Sequence, residues 1–184
     1  MTLTVVTGNV HKFFEISAIL CDLPDVVQAD LSCPEVQHAD VGYISEHKAA
    51  YAYSKLKCPL ITDDTGLFIP ALQGFPGPYA AFVLETIGNA GILRLLEGCS
   101  DRSAWFETAI AYADELGVRV FRGRIDGVIA HEPRGTNGFG YDPIFEVGSK
   151  TLAEMENEEK NTLSHRVRGI ALFHDWFVTR TFDS

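Results

Sequence analysis

The sequence is short of cations and has no long apolar run. Its 184 residues carry 15 Lys and Arg against 25 Asp and Glu, a formal charge of −10. That balance argues against a long non-specific contact with duplex nucleic acid, which needs Lys and Arg to neutralise phosphates. It leaves room for a single nucleotide, which needs only a few cations in one place. The apolar stretches are brief and broken by polar residues, so no segment is expected to span a bilayer. The start, Met1-Thr2-Leu3-Thr4, lacks a basic stretch followed by sustained apolar residues, so no secretory signal is expected. Cysteine is scarce. Cys21, Cys33, Cys58 and Cys99 form no CxxC pair, and no Cys/His spacing resembles a zinc site. Free thiols in an intracellular, cytoplasmic protein are the expectation. Repeats, low-complexity tracts and linkers are missing too, so one domain over residues 1–184, built at most as two small lobes, is expected.

What is present is enough for a core: 46% of the residues are apolar and 22% charged. Leu3 to Val6 is a β-branched run ending at Thr7-Gly8-Asn9. From Val10 the period changes, with Phe13, Ile16 and Leu20 at helical spacing, so strand, tight turn and helix are predicted. Pro24 and Pro34 bracket an extended stretch. Ser45 to Leu56 is rich in helix formers, with Ser45 as its cap. Leu60-Ile61-Thr62 reads as a short strand entering Asp63-Asp64-Thr65-Gly66. The loop Gly74-Phe75-Pro76-Gly77-Pro78 precedes a helix from Thr86 to Leu96, stopped by Gly98. Trp105 to Tyr112 and Val118 to Ile129 are predicted strands, and Arg134 to Asp142 a glycine-rich loop. A short extended piece, Pro143 to Val147, and a helix from about Leu163 to Val178 follow. Strands and helices alternate from end to end, which predicts an α/β or α+β fold with a mixed sheet.

Four places carry residues suited to chemistry, and each has an ordinary alternative. Thr7-Gly8-Asn9 with Lys12 lies where a strand turns into a helix. Backbone N–H groups and the helix dipole there favour an anion. The alternative is a capped turn with Lys12 paired to Glu15. Asp63 and Asp64 are adjacent carboxylates at a strand end, suited to Mg²⁺ or to activating a water. The alternative is an Asx turn. Gly138-Phe139-Gly140-Tyr141-Asp142 exposes an aromatic ring between glycines, on which a purine would stack for about 1–3 kcal/mol. The alternative is a loop anchored by its aromatics. Lys160, and His165 with Arg166, sit near a helix start, where cations are disfavoured unless they face an anion or a carbonyl. The alternative is a solvated helix start partnered by Glu158 and Glu159.

The order of the motifs is more specific than any one of them. TGNxxKxxE (Thr7 to Glu15), DDTGL (Asp63 to Leu67), GFPGPY (Gly74 to Tyr79), FGYDPIF (Phe139 to Phe145) and AEM…EEKNxLSHR (Ala153 to Arg166) together resemble the inosine triphosphate pyrophosphatase family, also called the Ham1 or non-standard purine nucleoside triphosphatase family. TIGNAGILRLLEG (Thr86 to Gly98) is similar to archaeal members in particular. The resemblance implies an α/β fold with a long mixed sheet flanked by helices, two lobes and a central cleft, usually in a homodimer. It implies Mg²⁺-dependent hydrolysis of ITP, dITP and XTP to monophosphate and pyrophosphate, which cleans the nucleotide pool. By motif, Thr7, Gly8, Asn9 and Lys12 would hold the triphosphate. Asp64 would be metal ligand and proton acceptor, and Thr65 would touch the substrate. Phe139 would stack on the base while Gly140, Tyr141 and Asp142 read its edge. Lys160 would bind near the base or phosphates, and His165 and Arg166 would contact the base.

One position departs from the family pattern. The resemblance implies a metal-binding Glu after the segment Pro34 to Gln37. Here that position falls on Gly42 or Tyr43, neither an ordinary Mg²⁺ ligand. Asp40, Glu46 and Asp63 are the candidate substitutes. The departure keeps two further readings open: a nucleotide-binding sensor without efficient turnover, and a phosphate-binding module with no purine preference.

Overall fold

Alternation of side chains across the strands explains the architecture of the computed structural model, which describes residues 2–23 and 25–182. Pro24, expected to open the extended stretch, lies outside the described residues. The chain divides into two compact units. The first comprises residues 1–64, 108–123 and 165–184, and the second residues 65–107 and 124–164.

In the first unit, β1 (Leu3–Val6) lies between β2 (Val26–Ala29) and β3 (Leu60–Phe68), parallel to both. Successive side chains of a strand point to opposite faces. Leu3, Val5, Ile61, Ile110 and Tyr112 therefore share one face. They pack against Ile16 and Leu20 from α1 (Val10–Ile19) and its C-terminal residue, and against Ile170, Phe173 and Phe177 of α6 (His165–Phe182). The other face carries Val6, Leu60, Ala111 and Ala113, which pack on Ala49 and Ala52 of α2 (Val41–Leu56). Alanine on both sides of that contact lets α2 approach closely. A sheet covered on both faces by helices is the arrangement that parallel strands require.

In the second unit, Leu67, Ile69, Phe106, Ile125, Ile129, Tyr141, Ile144 and Phe145 form the largest part of the core. Val83 of α3 (Ala80–Thr86) and Ile92 of α4 (Gly88–Leu95) close it. The remaining strands and α-helix are β4 (Pro76–Gly77), β5 (Ser103–Asp114), β6 (Gly117–Ile129), β7 (Phe145–Val147), β8 (Lys150–Thr151) and α5 (Asn157–Leu163). Among the described residues the sheet has eight strands in the order β2-β1-β3-β5-β6-β7-β8, with β4 antiparallel on β3. It is the mixed, helix-flanked sheet expected from the sequence. No helix among the described residues is long and apolar enough to cross a membrane.

Three sequence expectations need correction. Helix α2 begins four residues before Ser45, and its cap is Asp40, whose carboxylate accepts from the Gly42 and Tyr43 N–H groups. Ser45 is buried instead, bonded to the Thr62 hydroxyl at 2.9 Å and donating to the Ala109 carbonyl at 3.0 Å. The helix predicted from Thr86 to Leu96 starts two residues later, as α4 from Gly88 (φ 62°), and a separate helix, α3, which was not predicted, ends at Thr86. Asp63 and Asp64 do not form a turn; β3 runs straight through them to Phe68.

Candidate active site

The two adjacent aspartates face opposite ways, because they sit mid-strand. Asp63 follows Ile61 to the face covered by α1 and α6. Its buried carboxylate accepts from Lys12 Nζ at 2.7 Å and from Arg166 Nε at 2.7 Å. Burial works against its charge, but Arg166 and Lys12 outweigh burial and hold the carboxyl well below the usual range. Arg166 also binds Glu15 through Nη1. Lys12 therefore pairs with Asp63 across the fold, and Glu15, its expected partner one turn on, pairs with Arg166.

Asp64 follows Thr62 to the face covered by α2. Its Oδ1 accepts from Lys48 Nζ at 2.6 Å, and the same ammonium donates to Glu35 Oε1 at 2.6 Å. Burial disfavours the Lys48 charge, yet Asp64 and Glu35 raise its affinity for the proton above the ordinary lysine value. The Ser45 bonds to Thr62 and Ala109 fix α2 against β3 and β5 one turn before Lys48. The other Asp64 oxygen, Oδ2, is buried with no hydrogen-bond partner. A buried carboxylate oxygen without a donor is costly, and a hard divalent cation takes such oxygens. The residues present therefore fit the Mg²⁺ that the family resemblance implies, with Asp64 as the ligand.

The turn Thr7-Gly8-Asn9 and Lys12, expected from the sequence to favour an anion, lie in the same unit. Thr7 Oγ1 accepts from Asn9 N–H at 3.1 Å, and Asn9 Oδ1 caps α1 by accepting from Lys12 N–H at 3.1 Å. No acidic residue stands in the first turn of α1. At Gly8 a Cβ would come within 3.0 Å of Asp30 Oδ1, so glycine admits the turn beside that carboxylate. His165 and Arg166 begin α6. A Cβ at Gly123 would lie 2.0 Å from the His165 carbonyl, so glycine is what seats the helix start on β6.

The second unit holds the aromatic loop. Gly138 and Gly140 have φ of 72° and 68°, conformations that favour glycine. Between them the Phe139 N–H donates to Asp142 Oδ2 at 2.8 Å. Lys160 donates to the same oxygen at 2.8 Å, and its ammonium sits 4.9 Å from the centre of the Phe139 ring. Tyr141 anchors the loop in the core, its hydroxyl donating to the Ala80 carbonyl at 2.8 Å. Asn89 Nδ2 donates to the Gly140 carbonyl at 3.1 Å. Thr65 is the first residue of this unit and half-buried.

Within the first unit the fold joins Lys12, Asp63, Arg166 and Glu15 in one network and Asp64, Lys48 and Glu35 in another. Within the second it joins Phe139, Asp142 and Lys160. Lys48, Glu35 and Asn89 escaped sequence reasoning. Lys48 lies three residues beyond buried Ser45 on α2, a spacing that only the packing of the helix makes informative.

The profile of the Ham1 family matches residues 3–176. The chain belongs to the Ham1 family. Within it, the chain is 47% identical over 176 residues to a dITP/XTP pyrophosphatase of Methanosarcina mazei, covering 94% of this chain and 95% of that one. It is 45% identical over 181 residues to a dITP/XTP pyrophosphatase of Methanopyrus kandleri, covering 96% of each. The Ham1 protein of Staphylococcus aureus superposes with a TM-score of 0.86 at 29% identity, covering 98% of this chain and all of that one.

Proposed function

We propose that this Ham1 protein is a nucleoside triphosphate pyrophosphatase. It hydrolyses non-standard purine triphosphates (dITP, ITP, XTP) to monophosphate and pyrophosphate and so cleans the nucleotide pool. Asp64 carries the reading: one oxygen is held by Lys48 while the other is buried and unpartnered, in a chain 47% identical to a dITP/XTP pyrophosphatase. The strong likeness to relatives of that name supports the substrate class.

Asp64 accepts the proton of a water that attacks the α-phosphorus in line. The new bond is water oxygen to phosphorus, the bond from the α-phosphorus to the bridging oxygen breaks, and pyrophosphate leaves. When bound at Asp64, Mg²⁺ supplies neutralisation of the phosphate charge. Thr7, Gly8, Asn9 and Lys12 hold the triphosphate at the start of α1, where N–H groups favour an anion. Thr65 touches the substrate. Phe139 stacks on the base, and the backbone at Gly140 and Tyr141 meets its edge. Lys160 and Asp142 hold the Phe139 loop in shape, and His165 lies beside the base. Arg166 was expected to contact the base. Its Nε and Nη1 are instead given to Asp63 and Glu15, so we place it as a positioning residue acting through Asp63. A homodimer in a reducing, cytoplasmic compartment completes the reading. The exposed apolar side chains Phe75, Tyr79, Phe82 and Ile87, and the free thiols, support it.

The test is inosine triphosphate with Mg²⁺, followed by assay of both phosphate products. Pyrophosphate and inosine monophosphate are expected; inosine diphosphate with inorganic phosphate would overturn the assignment. The sensor reading is motivated by the absence of a Glu at the expected position, Gly42 or Tyr43, and binding without turnover in this assay would select it.

Phe139→Ala is expected to raise KM for several purine triphosphates together, by about five- to a hundred-fold, because stacking of about 1–3 kcal/mol barely distinguishes bases. Steady-state kinetics on inosine and xanthosine triphosphates check it. Unchanged constants would reduce Phe139 to a loop anchor.

A further inference from the structure

We infer that Asn89 helps determine which purines this protein accepts. By taking the Gly140 carbonyl it leaves the loop around Phe139 with hydrogen-bond donors only, which favours a 6-oxo purine over a 6-amino one. The inference rests on the reading above, in which Phe139, Gly140 and Tyr141 meet the base.

The backbone of that loop divides cleanly into spent acceptors and unspent donors. Every carbonyl from Phe139 to Asp142 accepts a hydrogen bond. The Phe139 carbonyl accepts from Asp142 N–H at 3.2 Å, and the Asp142 carbonyl from Ala153 N–H at 3.2 Å. The Tyr141 carbonyl accepts from Ile144 N–H at 3.0 Å and Phe145 N–H at 3.1 Å. At Gly140 alone of these residues the donor is a side chain, Asn89 Nδ2 at 3.1 Å. The N–H groups of Gly140 and Tyr141 find no acceptor among the described residues. The peptide joining these two residues is planar, with C=O and N–H opposed. Aiming its carbonyl at Asn89 therefore aims the Tyr141 N–H the other way.

Asn89 serves the loop more than its own helix. It is the second residue of α4, yet no side chain caps that helix, and asparagine is a weak helix former. Among the described residues its side chain bonds to Gly140 and to nothing else, and its Oδ1 is buried without a partner. A buried oxygen without a donor is costly. Turning the amide over would not relieve it, because Oδ1 would then meet the Gly140 carbonyl, acceptor against acceptor.

The consequence for a purine follows from its 6-substituent. The 6-oxo group of hypoxanthine or xanthine accepts, so it can pair with an unspent N–H. The 6-amino group of adenine donates, and a donor-only loop leaves it unpaired, as it leaves the N–H that faces it. Without Asn89 the Gly140 carbonyl would be free to accept from that amino group. A purely structural tether predicts something else. Its loss would loosen Phe139 for every purine alike and leave the preference between them unchanged.

The experiment is a ¹H–¹⁵N NMR titration of the full chain with inosine monophosphate and with adenosine monophosphate. Asn89→Ala and Asn89→Asp are compared with the parent. Aspartate keeps the shape of the side chain but cannot donate, and its charge acts on both nucleotides alike and cancels in their ratio. Both variants are expected to lower the ratio of the adenosine to the inosine dissociation constant by about three- to tenfold, the factor one neutral hydrogen bond is worth. In the parent, the Tyr141 amide proton is expected to move downfield with inosine monophosphate and not with adenosine monophosphate. Urea unfolding curves check that each variant is folded. A ratio unchanged in both variants, or a parental ratio in Asn89→Asp, would overturn the inference. So would a Tyr141 amide that responds to the two nucleotides alike. Release of pyrophosphate from inosine triphosphate by a parent whose variants keep the ratio leaves the pyrophosphatase reading standing. The expected change of ratio around a parent that releases no pyrophosphate would overturn that reading and support this one. A parent that binds neither nucleotide would overturn both.

Discussion

Asp64→Asn is expected to lower turnover of inosine triphosphate by a factor of about 10² or more, the usual contribution of a positioned base. The substitution keeps the shape of the side chain and removes its capacity to take a proton. It also weakens whatever cation the carboxylate holds, so the loss should exceed that of a general base alone. Folding is expected to be unaffected, because Lys48 keeps Glu35 as its partner at 2.6 Å. Initial rates of pyrophosphate release, together with a urea unfolding curve, separate the two effects. A variant with near-normal turnover and parental stability would take Asp64 out of the mechanism.

Much of the fold could be read from period and punctuation. The strand at Leu3–Val6, the turn at Thr7-Gly8-Asn9 and the helix from Val10 appear as predicted, because a β-branched run gives way to helical spacing across a glycine. The long strands after Ser103 were legible for the same reason, extending two residues beyond each predicted end of the first. The misread places are those where tertiary contacts override local signals. Asp-Asp-Thr-Gly looks like a turn, yet Asp63 and Asp64 stay in β3 because each finds a cation on its own face of the sheet. Ser45 looks like a cap because it precedes an alanine-rich stretch. Asp40 takes that role, since a carboxylate accepts from two N–H groups at the α2 start and pairs with Arg122.

The site was legible as residue types and illegible as partnerships. Lys12, Asp64, Phe139 and Lys160 were each singled out, but no spacing reveals that Lys12 reaches Asp63 or that Lys160 lies over Phe139. Such pairs join residues far apart in the chain, and only packing brings them together. Lys48 and Glu35 were missed because a lysine in a helix and a glutamate in a polar loop are unremarkable until a third group, Asp64, converges on them. Arg166 was found, but facing two acids that the sequence could not point to.

Those two acids make Arg166→Met the substitution with the largest expected cost to stability. Arg166 is buried, and its partners Asp63 and Glu15 are buried and largely buried carboxylates. Removing one member of a buried ion pair strands the other, which costs about 3–5 kcal/mol. Methionine keeps much of the stem's volume, so the loss reports on charge more than on a cavity. Lys12 remains beside Asp63 and limits the damage to the lower part of that range. The dependence on pH distinguishes this from simple mispacking. In the parent, Asp63 is held below the ordinary carboxylate range in the folded state. Its contribution is therefore fully present above the unfolded pKa of about 4 and is lost as pH falls below it toward the folded value. In the variant that depression is reduced, so the parent loses more stability on acidification than the variant does. The difference between their urea-unfolding free energies is expected to hold from pH 7 to about pH 4 and to shrink as pH falls further. Asp63→Asn combined with Arg166→Met is expected to recover part of the loss at pH 7, since the fully buried carboxylate of Asp63 is then gone and only Glu15 is left without the guanidinium. A difference that stays constant as pH falls from about 4 to about 2, with no recovery in the double variant, would show that Arg166 stabilises the start of α6 by packing alone.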